Sequence, residues 1–364
     1  MPNRDNPGTL VVSLRPDNTS LIPFLMPHFS MTNGNAVLEH QPPLVQPVPP
    51  HKSRHQHTIS SNWPFLTQFI DALHLQEDLV GVVGWNSSQI HLRALCLAAK
   101  EIGIPSFEID HGCMATYLHG HFEADPVADH IFCSPEHAEF LRAYGYNGEV
   151  HETGRPLYDT WEDMSTTEAR ARIGLSIDGP VVLHTTTWCH EYSAWSDEDY
   201  VSRSEGALVA AMQIVQSVEP CAYIHSLRGG SPSTEEMVGH FLEEAGIADA
   251  IVTKDHNLQQ LIPCADVVVA PKGSAAAEAV IAGKPAIILD FRPQLDDWAW
   301  KKKGIIASRK EDPKLIAEDI LKCLVDPSTI ENLEAERRDG RLWFNGPGNA
   351  AEKIAEIMVE KCYS

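Results

Sequence analysis

Along most of the chain, short apolar runs alternate with segments whose apolar residues recur at the period of a helix. In the N-terminal half this pattern predicts strands at Thr9–Leu14, Asp78–Trp85, Pro105–Asp110 and Asp129–Ser134, and helices at Ser87–Gly103 and Pro135–Tyr144. The strands are apolar almost throughout, which is typical of parallel strands buried on both faces. The alternation predicts a doubly wound α/β sheet.

The pattern restarts after a segment rich in helix breakers, Thr153–Asp159. Strands are predicted at Pro180–Thr185, Cys221–His225, Ala250–Val252, Asp266–Ala270 and Ala286–Asp290, and helices at Glu205–Ser217, Thr234–Ala245, Asn257–Ile262, Ser274–Ala282 and Asn349–Lys361, with a further helix opening at Asp312-Pro313. We therefore predict two Rossmann-like domains, residues 1–165 and 166–364. The carboxyl ends of their strands are expected to face a central cleft, where such folds bind ligands.

Residues 40–62 break this pattern. Prolines at 42, 43, 47, 49 and 50 exclude a regular helix, and His40, His51, His55 and His57 are loosely spaced among them. We interpret the segment as an irregular surface loop rather than a metal-binding tract.

Composition narrows the functional classes. The formal net charge of −22 argues against broad nucleic-acid binding, which needs a basic face, although Lys301–Lys303 or the arginines near 340 leave room for a local groove. No apolar run approaches the ~20 residues of a membrane helix, and the N-terminus lacks the apolar core of a secretory signal. Eight cysteines are scattered without a CxxC pair, as in a reducing compartment. We expect a cytoplasmic protein that does not insert into membranes.

The segment Asp266–Asp290 carries the strongest chemical signal. It consists of a buried strand, a tight Lys-Gly-Ser turn, a helix of small residues, Gly-Lys-Pro and another strand. Gly273 would let a ligand approach the backbone, Ser274 would cap the helix, and the first-turn N–H groups would favour a diphosphate. Glu278 lies one turn further on the same face as Ser274, where a carboxylate suits ribose hydroxyls.

This segment resembles the donor-site motif of glycosyltransferases with two Rossmann domains, the GT-B architecture. The helix Asn257–Ile262 matches the short helix that precedes the motif in that family. The resemblance implies a nucleotide-sugar donor, UDP-linked, with Ser274 on its phosphates and Glu278 on its ribose, and with Gly273 and Ala275 in the same turn.

Further candidates for the donor site follow other predicted strands. Thr186 and Thr187 end the first strand of the second domain, and His256 precedes the short helix. Arg228 ends the second strand, and its guanidinium is a planar cation suited to a diphosphate. The family often has His-Pro near this position, whereas this chain has Leu-Arg-Gly-Gly.

A His-Gly pair ends a strand in the N-terminal half. His111 could accept a proton near neutral pH, and Asp110 could orient it. The pair resembles the His-Gly segment of capsule and teichoic-acid transferases, including glycerophosphotransferases, which implies that His111 is the base for the acceptor hydroxyl. Asp129–Ser134, Gly145 and Gly154–Asp159 resemble the sequence that follows in that group, which adds Arg155 to the predicted donor site.

No metal site is predicted from the sequence. His119 and His121, with Cys113 or Glu123, lack the spacing of a zinc site. Cys189-His190 is not interpreted as a catalytic dyad, because adjacent side chains seldom reach one reaction centre.

We therefore expect a metal-independent glycosyltransferase that moves a sugar from a nucleotide diphosphate to a hydroxyl acceptor and has no obligatory cofactor. Four alternatives stay open: a glycerophosphotransferase using a CDP-linked donor, a nucleotide-sugar 2-epimerase, a transferase acting on a modified nucleic-acid base, and a protein that binds a nucleotide sugar without catalysis. An epimerase would need acid and base carboxylates, and the sequence alone reveals no convincing set.

Overall fold

The computed structural model of the protein describes residues 7–13, 20–33, 69–85, 90–110, 126–143, 145–161, 164–186, 197–227, 234–247, 250–271, 274–289, 291, 303–308 and 310–364. The chain divides into two compact units. Unit 1 lies within residues 1–112, 119–160 and 345–364, and unit 2 lies within residues 113–118 and 161–344.

Unit 1 is built on a six-stranded, all-parallel sheet. Its strands are β1 (Thr9–Ser13), β2 (Ser30–Asn33), β3 (Leu79–Gly84), β4 (Ser106–Ile109), β5 (His130–Phe132) and β6 (Glu149–His151), in the spatial order β2-β1-β3-β4-β5-β6. Its helices include α1 (Ile22–Leu25), α2 (Ile90–Glu101), α3 (Pro135–Ala143) and the C-terminal helix (Ala350–Tyr363).

Alternate residues of these strands bury themselves on opposite faces of the sheet. Leu10, Val83 and Phe107 pack with Ile354 and Met358 of the C-terminal helix. Val11 and Val82 pack on the other face with α2, whose Leu95 and Ala98 are fully buried. Both faces are covered by helices, which is why the strands are apolar throughout.

Unit 2 is built on a second six-stranded, all-parallel sheet. Its strands are β7 (Val181–Thr185), β8 (Ala222–Ser226), β9 (Ala250–Thr253), β10 (Val267–Pro271), β11 (Ala286–Leu289) and β12 (Ile305–Ser308), in the order β12-β11-β10-β7-β8-β9. Its helices are α4 (Thr166–Arg172), α5 (Asp197–Val218), α6 (Glu235–Glu244), α7 (Leu258–Leu261), α8 (Ser274–Ile281), α9 (Pro313–Val325) and α10 (Pro327–Asn345), whose last residue belongs to unit 1; the C-terminal helix is α11.

The core of unit 2 lies where α5 and α9 cover one face of the sheet. Leu208 and Met212 of α5 and Ile316 of α9 pack against Val182 and Val269. Helix α9 begins as its sequence predicts: Asp312 Oδ1 accepts from the Lys314 amide at 2.9 Å, and Pro313 occupies the first turn.

The predicted fold class is confirmed, since two parallel α/β sheets are present, each flanked by helices. The sequence pattern did not indicate β2, β6, β12 or α10. These strands have only three or four residues, too few for a clear period. The predicted division placed residues 166–364 in one domain, whereas α11 returns to unit 1 and covers its sheet.

The segment Gly154–Asp159 anchors this returning helix. The two carboxylate oxygens of Asp159 accept from the amides of Ala350 and Ala351 at 3.0 and 2.8 Å, which caps the start of α11. Gly154 has φ +86°, and a Cβ there would overlap the carbonyl oxygen of Asn345. Glycine and aspartate at these two positions therefore have structural roles in unit 1.

Candidate functional site

In each sheet all strand carboxyl ends lie at the same edge, because the strands are parallel. In unit 2 the chain order reverses direction between β7 and β10, and ligands of open α/β sheets bind outside the carboxyl ends at such a reversal. Thr185 ends β7, and α8 begins at Ser274 shortly after β10. The predicted donor residues Thr186 and Ser274 therefore follow the two strands that flank the reversal.

Backbone hydrogen bonds to the neighbouring strand continue past the carboxyl ends of β7 and β8. The Thr186 amide donates to the Ser226 carbonyl at 3.0 Å, and the Leu227 amide donates to the Thr253 carbonyl at 2.8 Å. These N–H groups extend the sheet ladder and are not directed at a ligand. The Thr186 amide is therefore already engaged within the sheet.

Helix α8 has one open side. Ala276, Ala277, Ala279, Val280 and Ile281 are buried, and their mostly small side chains let the helix lie close to the sheet. Ser274, Ala275 and Glu278 are only half-buried and share the remaining side. The structure thus groups three of the predicted donor residues on one surface of unit 2.

The Gly-Lys-Pro part of the motif has a structural role at the opposite edge of the sheet. Gly283 ends α8 with φ +74°. Lys284 donates to Thr166 Oγ1 at 2.7 Å, and burial lowers the pKa of its ammonium group. Its ammonium group binds at the start of α4, whereas a donor phosphate is expected at the start of α8.

Of four further predicted donor residues, the structure describes one, His256. His256 is half-buried in the loop between β9 and α7. Thr187, Arg228 and Gly273 lie outside the described residues, as do His111, Cys113, His119, His121, Glu123, Cys189, His190 and the segment 40–62. Their predicted roles stay predictions.

A buried ionic cluster lies at the carboxyl edge of the unit 1 sheet. Asp110 follows β4, and its Oδ2 accepts from Arg155 Nε at 2.8 Å and lies 2.7 Å from Arg155 Nη2. The same Nη2 donates to Ser134 Oγ at 3.3 Å and lies 3.7 Å from Glu136 Oε2. Arg155 is only 1% exposed, so its charge is balanced inside the protein.

His137 completes the cluster. Its Nδ1 lies 3.2 Å from Asp110 Oδ2, while its ring is 3% exposed. Burial alone would lower the pKa of His137, but the charge of Asp110 and the neighbouring carboxylates outweigh burial and raise it. Sequence reasoning missed Glu136 and His137, because on α3 they resemble ordinary helix residues.

A second buried polar cluster lies in unit 2, where His184 of β7, Glu205 of α5 and His225 of β8 converge. Burial would raise the pKa of the Glu205 carboxyl, but the two histidines outweigh it and lower that pKa, while burial lowers the pKa of His225. No sequence spacing links positions 184, 205 and 225, so only the fold reveals the group.

No protein-family model and no curated protein sequence matches the chain. Solved structures do. The putative UDP-N-acetylglucosamine 2-epimerase from Listeria monocytogenes is similar at a TM-score of 0.64 and 14% identity, over 96% of this chain and 95% of that one. The UDP-GlcNAc 2-epimerase from Neisseria meningitidis, solved with UDP-GlcNAc, has a TM-score of 0.62 and 14% identity over 97% and 100%.

A glycosyltransferase from Rickettsia africae is also similar, with a TM-score of 0.57 and 11% identity over 99% of this chain and 100% of that one. The shared feature of these proteins is the fold with two Rossmann-like domains. The chain has this GT-B-like fold, as its sequence resemblance implied. Within the described ranges, no helix is both long enough and apolar enough to cross a bilayer.

Proposed function

We propose that the protein is an enzyme acting on a UDP-linked sugar, which binds at the carboxyl edge of the unit 2 sheet. The observation that carries this proposal is the placement of Ser274, Ala275 and Glu278 on the open side of α8, beside the reversal of strand order. The similar structure from Neisseria meningitidis, solved with UDP-GlcNAc, supports the choice of donor.

In this proposal the start of α8 binds the donor phosphates and Glu278 binds the ribose hydroxyls. Arg228, Thr187 and Gly273 complete the phosphate site, with the Thr186 hydroxyl and His256 at its border. When the bond to the sugar breaks, negative charge develops on the departing diphosphate. Fixed N–H groups and the Arg228 guanidinium stabilise that charge without a metal on the reacting atoms.

The first candidate reaction is transfer of the sugar to a hydroxyl acceptor. His111 removes the proton of that hydroxyl as its oxygen bonds to the anomeric carbon of the sugar. Asp110 and Arg155 act as positioning residues here, because each is occupied by the other inside unit 1. For Arg155 this role replaces the predicted donor contact, which would require the buried guanidinium to leave its partners.

The second candidate reaction is 2-epimerisation of the same donor. Inverting C2 requires removal of a proton from that carbon and its return to the opposite face, which needs acid and base groups. Of the buried carboxylates near the carboxyl edge of the unit 1 sheet, Asp110 and Glu136 are engaged by Arg155, and we assign this role to Glu108 of β4. The similar epimerase structures favour this candidate independently.

One incubation distinguishes the two reactions. The full chain is mixed with UDP-GlcNAc in deuterated water and followed by proton NMR, without acceptor and then with a panel of sugar acceptors. UDP release only with acceptor supports transfer, whereas loss of the C2 proton signal without acceptor supports epimerisation. Turnover of CDP-glycerol alone would replace both reactions by glycerophosphate transfer, and UDP binding without any turnover would contradict an enzyme.

A variant tests the proposed base. His111→Ala should reduce transfer by about 10²–10⁴-fold and leave UDP affinity nearly unchanged, because the base acts on the acceptor. Turnover and calorimetric affinity are measured on the same preparation. Unchanged turnover, or loss of UDP binding together with thermal stability, would contradict the assignment of His111 as the base.

A further inference from the structure

Three polar side chains from distant parts of unit 2 meet in its interior. His184 lies on β7, His225 on β8 and Glu205 on α5, and their exposed fractions are 2%, 0% and 3%. His184 Nε2 lies 3.3 Å from Glu205 Oε2, and His225 Nε2 lies 3.0 Å from the same oxygen. Two imidazoles and a carboxylate thus direct one atom each at a common point that bulk water does not reach.

In each histidine, the Nδ1 atom, which does not face Glu205, lies beside an oxygen that orients the ring. His184 Nδ1 lies 3.0 Å from the Val269 carbonyl oxygen, which can only accept, so this nitrogen carries a hydrogen. His225 Nδ1 lies 2.9 Å from the Tyr223 hydroxyl. A hydrogen bond from the outer nitrogen to a backbone or side-chain oxygen is the usual support of a metal-ligating histidine.

The two nitrogen–oxygen distances at Glu205 are close to the spacing of ligand atoms in a metal site. His225 Nε2 completes no hydrogen bond, although it lies only 3.0 Å from Glu205 Oε2. In a tetrahedral zinc site with bonds of about 2.0–2.1 Å, neighbouring ligand atoms lie roughly 3.3 Å apart. The two nitrogen–oxygen distances are close to that spacing. The three ligand atoms all lie within 4.8 Å of one another, so a single cation between them can contact all three.

A second His–Glu–His group in unit 1 provides a contrast. His130 Nδ1 and His151 Nε2 lie 3.6 and 3.8 Å from Glu149 Oε2. The Glu149 side chain is 55% exposed, and Lys361 Nζ lies 2.9 Å from the same oxygen. A lysine therefore already supplies positive charge at this group.

We propose that His184 Nε2, His225 Nε2 and a carboxylate oxygen of Glu205 bind one divalent transition-metal ion, Zn²⁺ by the chemistry of its ligands. Two imidazole nitrogens and a carboxylate oxygen are a common zinc ligand set. The ion joins α5 to β7 and β8 beneath the edge proposed to bind the donor. It is a structural ion that takes no part in the reaction, so the proposal stands independently of the proposed function.

The test measures metal content and needs no substrate. The purified full chain is stripped with a chelator, exposed to Zn²⁺, dialysed and analysed by mass spectrometry of the element. We expect about one tightly held Zn²⁺ per chain and a higher Tm after reloading, because a ligand that binds only the folded state stabilises it. Failure of the reloaded chain to retain zinc would overturn the proposal.

Matched double variants locate the ion. The double variant His184→Gln with His225→Gln should lose the tightly held zinc, whereas His130→Gln with His151→Gln should keep it. The reverse result would overturn the proposal. Should the first variant fail to fold, X-ray absorption at the zinc edge of the wild-type protein decides. A first shell of nitrogen and oxygen with two imidazoles supports the site, and a shell containing sulfur contradicts it.

Discussion

Each of the two sheets buries a group of polar side chains near its own carboxyl edge, and the two groups differ in their chemistry. In unit 1, Asp110 and Glu136 surround the guanidinium of Arg155, whose charge is permanent. In unit 2, Glu205 lies beside the rings of His184 and His225, which can each be neutral. The unit 1 cluster therefore contains a permanent cation, whereas the charge of the two imidazoles in unit 2 depends on a proton or a bound metal ion.

This difference indicates separate roles for the two clusters. The unit 1 cluster ties Asp110, which follows β4, to the segment Gly154–Asp159, which in turn caps α11. It is an anchor whose central cation, the Arg155 guanidinium, is permanently charged. The unit 2 cluster ties a helix to two strands through groups whose charge depends on what they bind.

Arg155→Met should have the largest effect on stability. It leaves Asp110 buried beside Glu136 without the guanidinium, and breaking a buried ion pair from one side costs about 3–5 kcal/mol. Arg142 provides the control, because its pair with Glu152 is exposed and worth at most about 1 kcal/mol. Urea unfolding of both methionine variants measures the difference, and equal losses would show that the unit 1 cluster is no anchor.

Tyr223→Phe should destabilise unit 2 to a lesser extent. The variant removes the hydroxyl beside His225 Nδ1 and leaves that buried nitrogen without its partner, which costs about 1–3 kcal/mol. Ser217→Ala removes an exposed hydroxyl that donates to the Ile214 carbonyl, so its cost should be smaller. If thermal unfolding ranks the two variants in the opposite order, the hydroxyl of Tyr223 does not support His225.

His137→Gln should give a smaller effect that depends on pH. The raised pKa of His137 means that its protonated form stabilises the fold below the ordinary histidine value of about 6.5. This contribution is lost as the pH rises through the raised value. The variant should therefore lose more stability at about pH 5.5 than at about pH 9.

The control for this experiment is His240→Gln, since the exposed pair of His240 with Glu244 is worth at most about 1 kcal/mol. Urea unfolding gives the loss in free energy of unfolding for each of the two variants at each of the two pH values. A loss for His137→Gln that is independent of pH, or greater at alkaline pH, would show that Asp110 does not stabilise a protonated ring.

The sequence predicted the fold more fully than the site. Apolar runs indicated most strands, and the Ser274 turn identified the edge of unit 2 where three candidate residues share a surface. The return of α11 to unit 1 was missed because its amphipathic pattern does not specify which sheet it covers. The polar clusters were missed because Arg155 and Glu205 meet partners only through tertiary packing.

Arg155 shows most clearly that a sequence motif does not predict the partner of a charged side chain. Its resemblance to a transferase motif suggested a donor contact, yet its guanidinium is buried against Asp110. A motif specifies residue types and spacing, whereas the partner of a charged side chain depends on the strand that ends beside it. Lys284 belongs to the Gly-Lys-Pro part of the donor motif, yet it binds Thr166 at the amino edge of the sheet.

The central claim is that the open side of α8 binds a UDP-linked sugar, and calorimetric titration with UDP tests it most directly. We expect about one UDP per chain, and Glu278→Gln should weaken binding by about 1.5–3 kcal/mol through loss of a charged hydrogen bond. Glu244→Gln, an exposed change in unit 2, should leave the affinity unchanged. No binding of UDP to the wild-type chain, or equal affinity in all three proteins, would contradict the account.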